Sequence, residues 1–138
     1  MNRIEFCAML TQCRQDNNIS KNEMCRLAAW PFKQLQLIEA KPNNFSMDKA
    51  FVYLTAIHNK IVLRDSKTTF SIDSIEAVAA WLKQARKERF SLRSLAVETQ
   101  CSFVTLSNIE RMTNKITVDI FLKLVEALDY TLTIEPNE

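Results

Sequence analysis

Slid against itself by 71 positions, this 138-residue chain sets Ser20 on Ser91, Phe32 on Phe103, Leu35 on Leu106, Ile38 on Ile109 and Glu39 on Glu110. Asn43 with Asn114, Asp48 with Asp119 and Ala56 with Ala127 follow in the same register. Upstream a shift of 72 serves better, bringing Leu10 to Leu82 and Arg14 to Arg86, so the first copy carries one extra residue in its Asn17-Asn18-Ile19 turn. Such self-similarity over roughly forty ungapped positions reads as a tandem duplication. It confines the chain to two small units, expected over residues 1–66 and 67–138, that fold by one plan.

Each unit reads as four helices. Ile75, Val78, Ala79, Leu82 and Ala85 form an apolar stripe at helical spacing, and Ile4, Cys7, Leu10 and Cys13 do so in the first copy. Ser20 and Ser91 suit N-caps, whose side-chain oxygens accept from free amides of a first helical turn. Second helices then run through Cys25 and Ala96, turns fall at AWPF and TQCS, and third helices run from Pro31 or Phe32 to Ala40 and from about Phe103 to Arg111. Pro31 is tolerated at that start because no donor is needed there. Ser46 and Thr117 look like caps of fourth helices, whose apolar rows match position for position: Met47, Ala50, Phe51, Leu54, Ile57 against Val118, Phe121, Leu122, Val125, Leu128.

A short β-prone run closes each copy, KIVL at 60–63 and YTLTI at 130–134. A lone strand leaves backbone donors and acceptors unmet, so the two runs are expected to pair antiparallel. The segment RDSKTTF at 64–70 then reads as a linker. The expected fold is all-α: two tandem helical units about an approximate two-fold axis, stapled by a two-stranded β ribbon.

Composition narrows the chemistry. The chain has no glycine, and loops that cradle phosphates in nucleotide-dependent enzymes need glycine for tight turns and close approach. His58 is the single histidine, and Cys7, Cys13, Cys25 and Cys101 lack C-x-x-C spacing, so they read as reduced core thiols. No metal site, cofactor or enzymatic relay is expected. No apolar run reaches the roughly 20 residues of a membrane span, and the N-terminus lacks a signal-peptide pattern, so a soluble cytoplasmic protein is expected. Net charge is +2, with +3 in residues 1–66 and −1 in 67–138. Any nucleic-acid contact must come from a few well-placed cations rather than from a strong overall field.

The stretch SLRSLAVETQCSFVTLSNIER at 91–111 resembles the helix-turn-helix of lambda-repressor-like (Xre/Cro) regulators. Leu95, Ala96, Gln100, Cys101, Ser102, Leu106, Ile109 and Glu110 stand at that pattern's places. The following ITVDIFLKLVEALDYTLTIEP is similar to the helix-plus-strand tail of antitoxin-type members, in which a strand from each protomer builds the dimer. The resemblance covers residues 74–136 directly and 4–63 through the internal repeat. Both copies depart from it at the turn glycine, which is Gln100 in one and Ala29 in the other. Either the backbone there turns left-handed, at a cost of about 1 kcal/mol, or the turn shifts.

The resemblance implies that the third helix of each unit enters a major groove. The base-facing residues would be Phe103, Val104, Ser107 and Asn108 in the second copy, and Phe32, Lys33, Gln36 and Leu37 in the first. Phosphates would be held by Ser91, Arg93, Arg111 and Lys115, and by Ser20, Lys21, Lys41 and Asn43. The implied partner is double-stranded DNA with an imperfect two-half operator, read by a monomeric pseudo-dimer that is free to dimerise again. Apolar Phe32, Phe103, Leu37 and Val104 equally suit packing on a protein partner, either toxin-like or part of the transcription machinery. The basic run Lys83, Arg86, Lys87, Arg89 and Arg93 reads either as capping of the preceding helix or as a phosphate clamp.

Overall fold

The computed structural model describes residues 1–40, 43–113 and 115–137. Eight helices and three strands follow in the order α1 (Arg3–Asp16), α2 (Lys21–Ala28), α3 (Phe32–Glu39), α4 (Met47–Ala56), β1 (Asn59–Arg64), β2 (Thr69–Ile72), α5 (Ile75–Arg86), α6 (Leu92–Thr99), α7 (Phe103–Glu110), α8 (Val118–Ala127) and β3 (Thr131–Pro136). The starts of α2 and α6, α3 and α7, and α4 and α8 lie 71 positions apart, and each pair matches in length.

Side-chain caps set most helix starts. Asn2 and Glu5 form a capping box on α1, and Ser20, Ser46, Ser74, Ser91, Ser102 and Thr117 each accept from a first-turn amide. Pro31 stands at the corresponding place before α3 and makes no such bond. The fourth-helix rows bury as their spacing requires: Met47, Ala50, Phe51, Leu54 and Ile57 on one side, Val118, Phe121, Leu122, Val125 and Leu128 on the other. These residues join one continuous apolar cluster drawn from both halves of the chain.

Three expectations are corrected. The ribbon is a three-stranded antiparallel sheet of order β2-β1-β3, so the fold is helical with a real sheet rather than all-α. Three of the seven supposed linker residues are strand: Thr69 pairs with Arg64 and Phe70 with Leu63, behind a turn at Asp65 to Thr68. In α1 the buried face rotates from the expected stripe: Ile4 is 68% exposed, while Phe6 is fully buried beside Cys7 and Leu10. Among the thiols only Cys7 is fully buried; Cys13, Cys25 and Cys101 are half-buried against the core, and all four are free. Burial pushes the Cys7 thiol up to about 11.

The halves meet along two seams. Met47 N donates to Ile116 O at 2.8 Å and Val118 N donates to Phe45 O at 2.9 Å, around an isolated bridge between Ser46 and Thr117. In the β1–β3 ladder Val62 faces Thr133, with Ile61 opposite Ile134 and Leu63 opposite Leu132.

Candidate nucleic-acid interface

The turn between α6 and α7 takes its shape from one residue. Gln100 is left-handed (φ 57°, ψ 33°), and Cys101 N reaches back to Ala96 O at 3.0 Å, which closes the helix end. Ala29 does the same after α2 (φ 56°, ψ 44°), with Trp30 N bonded to Cys25 O at 2.9 Å. The turn has therefore not shifted in either half, and both tolerate the steric cost of a side chain where glycine is easiest. Buried Leu95, Ala96, Leu106 and Ile109 hold α6 against α7, each leucine contributing roughly 1.5–3 kcal/mol by its removal from water.

A bidentate ion pair ties the first helix of each half to the third. Arg14 Nε and Nη2 donate to Glu39 Oε2 and Oε1, both at 2.8 Å, and both side chains are almost wholly buried. Arg14 Nη1 also bonds Ile19 O, and Tyr53 Oη donates to Glu39 at 2.6 Å, so the acid accepts three hydrogen bonds. In the other half Arg86 grips Glu110 through Nε and Nη2. The carboxylate partner raises the pKa of each arginine above its ordinary value. These clamps fix the roll of α3 and α7, and with it the face that each presents.

On α7 that face carries Phe103 and Val104, both exposed, with half-buried Ser107 and Asn108 one turn later. On α3 it carries exposed Phe32, Lys33 and Gln36 and half-buried Leu37. Each expected set of four is thus brought onto one surface. At the flanks, Ser91 and Ser20 are the caps of α6 and α2, Lys21 begins α2, and Arg111 and Lys115 are exposed beyond α7. Asn43 N bonds Leu37 O at 3.2 Å, and Lys41 lies outside the described residues.

Arg93, expected at a phosphate, stacks its guanidinium 4.6 Å from the Phe103 ring centroid. The basic run before α6 is also split. Arg86 is spent on Glu110, and Arg89 on Asp65 and Leu128 O, leaving Lys83 and Lys87 exposed. Sequence reading missed Ser102, whose hydroxyl caps α7 through Thr105 N at 3.0 Å. Its S-x-x-T spacing was the available signal.

Residues 82–134 match a family model described as Helix-turn-helix, a span that takes in α6, α7, α8 and most of β3. No curated protein and no solved structure matches the chain. No described helix is long and apolar enough to cross a membrane.

Proposed function

We propose that this chain is a sequence-specific DNA-binding regulator that reads an imperfect two-half operator with two unequal helix-turn-helix heads, α2–α3 and α6–α7. The observation that carries this reading is the agreement between the family match over residues 82–134 and a second head of the same helix lengths 71 positions earlier. Three features support a pseudo-two-fold arrangement of units 1–66 and 67–138. The hydrogen bonds Met47 to Ile116 and Val118 to Phe45 exchange under the 71-residue shift, the ladder is centred on Val62 and Thr133, and the arginine–glutamate clamps correspond. Such a chain is a dimer in one polypeptide, free to let its halves diverge, and it would work in the cytoplasm as a monomer.

Roles follow from chemistry. Asn108 would bond an adenine edge, Lys33 a guanine, and Val104 or Phe32 a thymine methyl, with Ser107, Gln36 and Leu37 lining the same groove. Ser91, Arg111 and Lys115, and Ser20, Lys21, Lys41 and Asn43 in the first unit, would hold phosphates. Phe103 would serve Arg93 as a platform, carrying its charge toward the backbone. Half-sites should lie about one helical turn, roughly 34–36 Å, apart.

A second reading, an antitoxin-like module whose heads bind protein, draws on exposed apolar surface: Val97 at 79%, Val104 at 63% and Phe32 at 45%. Selection of bound sites from random duplex DNA separates the two. Enrichment of a bipartite site, with Asn108→Ala and Lys33→Ala each relaxing one half, supports the DNA reader. With six phosphate contacts its affinity falls about 10³-fold between 50 and 200 mM salt. No enrichment at low salt sinks this reading in favour of a protein partner.

A further inference from the structure

The sheet departs from the two-fold arrangement at one place. Strand β1 has neighbours on both sides, whereas no described strand pairs with the outer edge of β3. Hydrogen-bond phase shows what that edge offers. Asn137 N bonds His58 O at 2.8 Å, and bonded and non-bonded pairs alternate along an antiparallel ladder, so Val62 and Thr133 bond each other. Leu132 and Ile134 therefore turn their amides and carbonyls outward. They lie 71 positions after Ile61 and Leu63, the two β1 residues that face Ile72 and Phe70 of β2.

The space beside this edge is open too. Between α1 and β3 lies a groove of about 350 Å³ lined by Met9, Gln12, Cys13, Asp16, Asn59 and Ile134 among others. At the related place in the other half, β2 lies against α5, Ile72 is buried, and Phe70 packs on Tyr130 with centroids 6.1 Å apart. Asn59, the counterpart of Tyr130, has no such neighbour.

We propose that the outer edge of β3 and the α1 groove together form a docking site for an extended segment of a protein partner, added antiparallel as a further strand. Its chemistry is written in β2. A large apolar residue opposite Ile134 would fill the groove over Met9 and Cys13, a polar residue would follow outward, and a β-branched residue would lie opposite Leu132. A lysine or arginine ahead of the large residue would meet Asp16 and the negative end of α1. A second copy of this chain fits less well. Pairing β3 with β3 brings only Leu132 and Ile134, which are already packed in their own core, and Pro136 lacks the donor to extend the ladder. The template comes from the two-fold reading; the site itself is independent of DNA binding.

Random twelve-residue peptides displayed on phage, panned against the intact chain, test the proposal. The expected result is enrichment of basic, then apolar-x-apolar sequences. A synthetic enriched peptide should slow amide exchange at Leu132 and Ile134 about tenfold. Cys13→Arg or Met9→Glu, each checked for an unchanged melting transition, should weaken its binding about tenfold or more by placing charge against the buried apolar residue. Absence of enrichment overturns the proposal, as do peptides without the alternation, protection elsewhere, or binding that survives both substitutions. A free chain that sediments as a dimer with Leu132 and Ile134 already protected overturns it in favour of self-association.

Discussion

The helix pairs α2–α3 and α6–α7 share an interior and differ at the surface. Leu35 and Leu106, Ile38 and Ile109, and Glu39 and Glu110 are identical pairs, and all six side chains are buried. The faces turned outward share only Phe32 and Phe103, and even these differ, because Phe103 carries Arg93, whose counterpart 71 positions earlier is Asn22. Close packing tolerates few alternatives, whereas a solvated helix face accepts many side chains at little cost in stability. Substitution therefore costs little on the outward faces of α3 and α7 and much in the interior that sets their posture.

The comparison breaks first at the ion pairs. Removing Glu39 strands an arginine that is 6% exposed, and Glu39→Ala is expected to cost about 3–5 kcal/mol in urea unfolding. Arg86 is 22% exposed and can turn to water, so Glu110→Ala should cost clearly less, about 2 kcal/mol. Equal losses would mean that burial does not distinguish the clamps. Next come the faces: Asn108→Ala and Lys33→Ala should each weaken binding to a selected operator by about 1–3 kcal/mol, at opposite halves, with stability unchanged. Loss at the same half would sink the two-headed reading.

Smaller still, Ala29→Gly and Gln100→Gly should each stabilise by about 1 kcal/mol, by relieving left-handed residues that carry a Cβ. A gain in one head alone would show that the turns are held differently. The finest difference concerns acid. Amides of Lys67 and Thr68, with the Thr68 hydroxyl, hold the Asp65 carboxyl at about 2, below its ordinary range, while its counterpart in the other half is Pro136. A depressed carboxyl supports the fold above its unfolded pKa and loses that support as pH falls through the folded value. As pH falls below about 4, and on through about 2 where the Asp65 carboxyl is half protonated, the β1–β2 turn should loosen first, read from amide shifts of Lys67 and Thr68. An unshifted turn at pH 2 would refute the assignment.

Much of this was legible because it is periodic or local. The matched rows of α4 and α8, the serine caps and the break at Ala29 and Gln100 all rest on spacing that the chain displays openly. Strand β2 also alternates, with exposed Thr69 and Ser71 around Phe70 and Ile72, but four residues beside a polar turn carry a weak signal. The rotation of α1 was hidden because Ile4 is as apolar as Phe6, and only contact with neighbouring helices chooses between them.

For the candidate site, the sequence by itself determined which residues share a helix face, since 3.6 residues per turn places Phe103, Val104, Ser107 and Asn108 together wherever α7 lies. It also put Arg14 and Arg86 at matching places, 25 and 24 positions ahead of Glu39 and Glu110. Only the tertiary structure decided that each arginine clamps its glutamate, that Arg93 rests on Phe103, and that β1 is flanked while β3 is not. The two clamps join residues 25 and 24 positions apart, where pairing depends on the packing of whole elements and not on any local preference of the chain.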